Sequence, residues 1–147
     1  GVDEAPRTVP GAAAPVAAAP VNGLGHVLVV DDEPTNRTFV RGLLQKEGFR
    51  VSEAPDGLAA LDSLGRDAFD LMVLDLDMPR LAGYEVLSHV RRQIPTAMLP
   101  VIVLTGTLNP NAEIEVMERG ADDYLTKPID AARLLARVKA ALRRARG

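Results

Sequence analysis

Asp31, Asp32, Asp75, Thr105 and Lys127 are the residues whose types and placement could do chemistry together. Each stands at, or one or two residues past, the C-terminal end of a short run rich in apolar residues: HVLVV, FDLMVL, LPVIVL and DDYLT. In an open parallel α/β sheet, ligands gather outside the C-terminal ends of the strands. Three carboxylates, a hydroxyl and an ammonium converging there could hold a divalent cation beside a phosphoryl group. Clustered carboxylates repel, so they need a cation or shifted pKa values to coexist. Oxygen-only ligands suit Mg²⁺, which keeps several waters and takes one or two carboxylates. Asp75 could attack phosphorus and form an acyl phosphate. Lys127, one of three lysines in the chain, could bring a point charge to a phosphoryl oxygen. Thr105 could donate its hydroxyl to the same group. Competing local readings make Asp31 and Asp32 a helix cap, Asp75 a loop-start acid, Lys127 a surface lysine and Thr105 a turn residue.

The elements that would position these groups follow from periodicity. HVLVVDD, FRVSEA, FDLMVLD, LPVIVLT and DDYLTK read as five strands. Between them lie helical patterns. PTNRTFVRGLLQKEG places Phe39, Val40, Leu43 and Leu44 on one face, with Pro34 suited to the first turn and Gly48 to the stop. DGLAALDSLG carries Leu58, Leu61 and Leu64, with Asp56 as N-cap. GYEVLSHVRRQI aligns Val86, Leu87, Val90 and Ile94. NAEIEVMERG is a weaker helix that ends at Gly120, and DAARLLARVKAALRRARG turns Leu134, Leu135, Val138 and Leu142 inward. Five strands alternating with five helices predict an α/β, doubly wound, five-stranded parallel sheet covered on both faces. The expected order is the flavodoxin-like 2-1-3-4-5, which sets Asp31 and Asp32 beside Asp75 at the switch point.

The bulk numbers exclude several classes. At 147 residues the chain is expected to form one domain. It has no Cys, which removes disulfides, thiolate metal sites and Cys nucleophiles. A net charge of -3 and 3% aromatic residues argue against a dedicated nucleic-acid binder. No apolar run approaches a membrane span. Residues 1–25 are Ala/Pro-rich, with Pro10, Pro15 and Pro20 at even spacing, and are expected to be a disordered or polyproline-like linker rather than a targeting segment. Residues 26–147 are the expected domain. The chain begins at Gly1 rather than Met, as an excised piece of a longer protein would; the linker suggests a preceding module, and a C-terminal output module is an equal alternative. His26 and His89 have no partner at metal or triad spacing, and Ser52 and Ser63 lack a nucleophile-elbow context.

Four segments in order, VLVVDDEP, DLMVLDLDMPRLAGYE, LPVIVLTG and GADDYLTKPI, resemble the CheY-like receiver (response-regulator) domain of bacterial two-component signalling. The resemblance covers roughly residues 26 to 146. It implies a phosphoacceptor, Asp75, in a phosphorelay. It also implies Mg²⁺ held by Asp32 directly, Asp31 through water, Asp75, and the backbone carbonyl of Asp77. Thr105 and Lys127 would bind phosphoryl oxygens, and Tyr124 would be the switch aromatic whose rotamer couples to Thr105. Pro128 matches a Lys-Pro step that is often cis, and Gly83 matches the loop glycine after the phosphoacceptor. Gly106 stands where Ala is frequent, and the Asp77 side chain adds a fourth acid.

The implied partner is a sensor histidine kinase or histidine phosphotransfer protein, in the cytoplasm. The implied output is a change in the face built from the fourth helix, fifth strand and fifth helix. The final helix is similar to that of winged-helix regulators, which dimerise through this face, although Arg133 stands where those carry an acid. Arg137, Arg143, Arg144 and Arg146 fit a solvated face that complements the helix dipole. The chain would be a signalling switch with autocatalytic transfer and dephosphorylation, not a turnover enzyme. The main alternative is a phosphorylation-silent interaction module of the same fold. An aspartyl phosphatase, suggested by Asp75-Leu76-Asp77, lacks the expected cap-bearing domain. A flavodoxin-type cofactor domain lacks a phosphate-cradling glycine loop.

Overall fold

A computed structural model describes residues 24–78, 83–106 and 110–146. Residues 1–23, most of the expected linker, lie outside the described residues, as does Pro79. The five strands are β1 (His26–Val30), β2 (Arg50–Ala54), β3 (Leu71–Asp75), β4 (Val101–Thr105) and β5 (Asp123–Thr126). They form one sheet in the order β2-β1-β3-β4-β5, and every pair is parallel. The helices are α1 (Pro34–Lys46), α2 (Gly57–Arg66), α3 (Gly83–Arg92), α4 (Pro110–Glu118) and α5 (Ala131–Arg146). The flavodoxin-like order expected from the sequence is the order observed.

Side-chain alternation divides each central strand between two cores. Leu28, Val30, Met72, Leu74, Val101 and Val103 face one core, which is closed by Ala60 of α2, Val86, Leu87 and Val90 of α3, and Val116 of α4. Val27, Val29, Leu71, Val73, Ile102 and Leu104 face the other, closed by Val40 and Leu44 of α1 and Leu134, Val138 and Leu142 of α5. Burial on both faces is why β1, β3 and β4 read as unbroken apolar runs. Their C-terminal ends carry the buried polar side chains Asp31, Asp75 and Thr105, where the core meets solvent.

Local chemistry sets the helix limits. Pro34 sits in the first turn of α1, and Gly48 follows it with φ of 107°. The Asp56 carboxylate accepts from Ala59 N at 2.8 Å, as its expected capping role requires. Asp130 does the same for Arg133 N at the start of α5.

Three expected core positions face outward. Phe39 is 45% exposed, because Val40 and Leu44 take the sheet-facing line of α1. Leu58 is 60% exposed, because α2 meets the sheet through Gly57 and Ala60. Ile94 is 92% exposed: α3 stops at Arg92, since Pro95 cannot donate to a helix and restricts the residue before it, and Ile94–Thr96 forms a short 3-10 turn. No described helix is long and apolar enough to cross a membrane.

Candidate functional site

The site forms where β1, β3, β4 and β5 end. Asp31 continues β1 by donating its N–H to Ala54 O. Its side chain is buried, and Oδ1 accepts from Glu33 N at 2.9 Å. The helix cap is supplied by Glu33, whose carboxylate accepts from Asn36 N at 3.0 Å. Neither Asp31 nor Asp32 is therefore needed to cap α1. Asp31, Asp32 and Asp75 each offer a carboxylate oxygen, and these oxygens lie within 4.8 Å of one another.

Among the described residues, Asp31 Oδ2 is buried without a hydrogen-bond partner. Burial pushes the Asp31 carboxyl up to about 7, and neighbouring Asp75 adds to the rise against the opposing Glu33 N–H. An orphaned carboxylate oxygen beside two other acids is a costly arrangement for the protein alone. A small, hard cation would satisfy it, so this oxygen-only set fits a divalent ion of the Mg²⁺ type.

Asp75 closes β3 and is 1% exposed. Its Oδ1 accepts from Asp77 N at 3.0 Å and from Lys127 Nζ at 2.9 Å. Lys127 reaches it from just beyond β5, where its backbone N–H donates to Thr105 O at 2.9 Å, and the Lys127–Pro128 peptide is cis. Burial alone would lower the Lys127 pKa. The hydrogen bond to Asp75 and the charges of Asp75, Asp77 and Asp31 outweigh it and raise the pKa.

Thr105 is fully buried at the end of β4. Its Oγ1 donates to Asp77 Oδ1 at 2.8 Å, and Gly106 N donates to Asp77 Oδ2 at 2.7 Å. The Asp77 carboxylate thus turns toward β4 and stands outside the acidic trio, with Lys127 Nζ 3.5 Å from Oδ2. Burial would raise its pKa, but the Gly106 N–H, the Thr105 hydroxyl and Lys127 hold it below the usual carboxylate value. Tyr124 pairs with Val103 in the β4–β5 register and shares a sheet face with Thr105. Its ring is half-buried against the α2–α4 core. The phenol pKa is raised by burial and by the charges of Glu113 and Asp77.

Sequence reasoning overlooked several supports. Glu33 is an uncommon N-cap type, but its place immediately before Pro34 was a usable signal. Arg37 fixes the strand end by donating to Asp31 O at 2.7 Å. Gly83, singled out in the sequence only by resemblance, lies so close to the end of β3 that a Cβ there would be 2.8 Å from Leu76 Cα. His26 and Ser52, for which the sequence suggested no catalytic or metal role, meet at the opposite end of the sheet, with Nε2 2.7 Å from Oγ.

Comparison with known proteins agrees with this geometry. The family model described as the response regulator receiver domain matches residues 27–139. The transcriptional regulatory protein CseB of Streptomyces coelicolor is 39% identical over 119 residues, covering 81% of this chain and 50% of that regulator. The phosphate regulon transcriptional regulatory protein PhoB of Escherichia coli is 37% identical over 119 residues, covering 81% and 52%. The chain therefore spans about half the length of these relatives. The receiver domain of the Francisella response regulator 1452 superposes with a TM-score of 0.77 at 33% identity, covering 82% of this chain and 98% of that one. The receiver domain of sensor histidine kinase PA1611 from Pseudomonas aeruginosa PAO1, which has a magnesium ion coordinated in its active-site cleft, gives 0.74 at 30% identity, covering 80% and 97%. With its sheet order, its strand-end acids and these matches in agreement, the chain belongs to the response regulator receiver domain family.

Proposed function

We propose that this chain accepts a phosphoryl group on Asp75 from a phosphohistidine donor and reports the event through α4, β5 and α5. The observation that carries the reading is the buried Asp75 carboxylate, held between the Asp31–Asp32 pair and the Lys127 ammonium. Asp75 attacks phosphorus, the P–N bond of the donor breaks, and the departing imidazole takes up a proton. Asp31, Asp32 and Asp75 would hold Mg²⁺, with the Asp77 backbone carbonyl as a further ligand. When bound, this ion offsets the charge that builds on the transferring phosphoryl oxygens. Lys127 orients the acceptor before transfer and binds a phosphoryl oxygen after it. Thr105 donates to another oxygen, and Tyr124, on the same sheet face, follows that movement. Hydrolysis of the acyl phosphate returns the chain to its starting state, which makes it a switch rather than a turnover enzyme.

A groove beside Lys127 supports docking of a donor protein. Phe39 and Thr35 of α1 face Lys127, Pro128 and Ile129 across a groove of about 350 Å³ at the mouth of the site. A sensor histidine kinase or histidine phosphotransfer protein in the cytoplasm is the proposed partner. The half of the relatives that this chain does not match suggests an output module that this domain would control.

The test is incubation with Mg²⁺ and acetyl phosphate, followed by intact mass and peptide mapping after borohydride reduction. A labile gain of one phosphoryl group at Asp75, abolished by EDTA and by Asp75→Asn, is the expected result. A folded, Mg²⁺-binding protein that stays unmodified with both acetyl phosphate and a phosphohistidine donor would favour the silent interaction module instead.

A further inference from the structure

The site contains an anion of its own. Both oxygens of the Asp77 carboxylate are engaged, one by the Thr105 hydroxyl at 2.8 Å and one by the Gly106 N–H at 2.7 Å, and Lys127 Nζ stands 3.5 Å from the second. A hydroxyl, the next backbone N–H and an ammonium are the donors that a phosphoryl group on Asp75 would need. Asp77 is also tethered to the acceptor, because its own N–H donates to Asp75 Oδ1 at 3.0 Å.

We propose that the Asp77 carboxylate is an internal stand-in for the phosphoryl group, which holds Thr105 and Gly106 in the resting arrangement until phosphorylation displaces it. This rests on the phosphoacceptor reading of Asp75 and adds a positioning residue to it. Charge-assisted hydrogen bonds of this length are the stronger kind, so the latch is closed most of the time. A carboxylate and a phosphoryl group cannot share the same donors, since two anions would then stand a few ångströms apart. Release is feasible because the Asp77 side chain is 37% exposed and can rotate into solvent. The latch also supplies a coupling. Thr105 is freed to move only when the incoming anion has taken over its bond, so the movement on the Tyr124 face tracks phosphorylation rather than thermal rotation of a lone hydroxyl.

A latch closed about nine-tenths of the time weakens apparent binding about tenfold. The test uses beryllium fluoride with Mg²⁺ as a non-covalent phosphoryl analogue, followed by the NMR signals of the Gly106 amide and the Thr105 methyl. Asp77→Ala is expected to bind the analogue about tenfold tighter than the parent, and its analogue-free Gly106 amide should shift. Asp77→Asn, which keeps an acceptor oxygen but no charge, should fall between. In a Thr105→Val background the gain from Asp77→Ala should shrink several-fold, because one of the contested donors is gone.

Equal gains in Asn and Ala that persist undiminished with Thr105→Val would mean simple charge repulsion and would overturn the latch. So would binding by Asp77→Ala no tighter than the parent's. If neither the parent nor the variants bind the analogue while remaining folded, the phosphoacceptor reading itself fails, and the latch with it.

Discussion

Lys127 Nζ lies 2.9 Å from Asp75 Oδ1, although 52 residues separate the two in the chain. The ammonium acts on this acid in two opposing ways. It neutralises the buried carboxylate, and it repels any cation that approaches the same group. Lys127→Met should therefore tighten Mg²⁺ binding by roughly three- to tenfold, the scale of about 1 kcal/mol for unit charges a few ångströms apart when water screens them fully. The same variant should slow acyl phosphate formation, because a phosphoryl oxygen loses its counter-charge. Mg²⁺ titration by calorimetry, run beside acetyl phosphate labelling, separates the effects. Weaker metal binding in the variant would mean that Lys127 serves chiefly to shape the loop.

Asp31 links metal binding to pH. Its carboxyl is pushed up from 3.8 to about 7, first by burial and then by Asp75. A raised carboxyl pKa in the folded state means that its stabilising contribution is present below about pH 4 and is lost as pH rises through about 7. Cation binding needs the ionised form, so Mg²⁺ affinity should fall about tenfold per pH unit below 7 and level off above it. Asp31→Asn should bind Mg²⁺ more weakly and with a flatter pH profile. In the metal-free state it should be more stable at pH 8 by about 1–3 kcal/mol, because an unsatisfied buried carboxylate is gone. Thermal melts at pH 5 and pH 8, with and without Mg²⁺, read both effects.

What the sequence made legible follows from where the physics is local. Apolar runs ending in Asp31, Asp75 and Thr105 announce buried parallel strands whose polar ends must cluster, and the sheet order brings them together. The helix faces were harder. Phe39 satisfies helical spacing but lies outside the buried line, since spacing cannot say which part of an apolar stripe meets the sheet, and Ile94 falls past the end of α3, in the short turn that contains Pro95. Asp77 shows the same limit in the site. Adjacency to Asp75 put it near a cation, while the aim of its carboxylate is decided by Gly106, 29 residues on. Arg91 was invisible for that reason as well: its guanidinium ties the nearby carbonyls of Ala97 and Leu99 to the carbonyl of Gly120 and the carboxylate of Asp122, which are 29 and 31 residues on.

Gly83 and Gly106 flank the site and should tolerate a methyl group very differently. At Gly83 an added Cβ meets backbone, Leu76 Cα at 2.8 Å and Asp75 O at 3.2 Å, so the backbone at the end of β3 would have to move. Gly83→Ala should cost about 1–3 kcal/mol, the usual range for overpacking. At Gly106 the nearest atom is Asp77 Oδ2 at 3.5 Å, an ordinary contact. Gly106→Ala should change stability by no more than about 0.5 kcal/mol. Urea melts of the two variants decide this. A large loss at Gly106 would show that the loop after β4 needs glycine for its backbone freedom.

At the far end of the sheet, His26 closes a clasp that should make the fold sensitive to acid. The ring is buried, with Nε2 2.7 Å from Ser52 Oγ and Nδ1 3.2 Å from Ala68 O, and it lies 4.3 Å from the Phe69 ring. Burial, followed by the Arg50 charge, lowers its pKa from 6.5, against weaker opposing pulls from the Ala68 carbonyl, Asp67 and Asp70. For a histidine with a depressed folded pKa, the unfolded chain binds the proton first. The stabilisation is therefore complete above about pH 6.5 and is lost as pH falls from there toward the folded value. His26→Gln should remove this part of the acid sensitivity while leaving the strand-end acids untouched. From about pH 7.5 to 5 the parent should lose stability relative to the variant, on top of the opposite slope that Asp31 gives to both. Parallel slopes would place the acid sensitivity in the carboxylates alone, and His26 would then be only a spacer between β1 and the turn before β3.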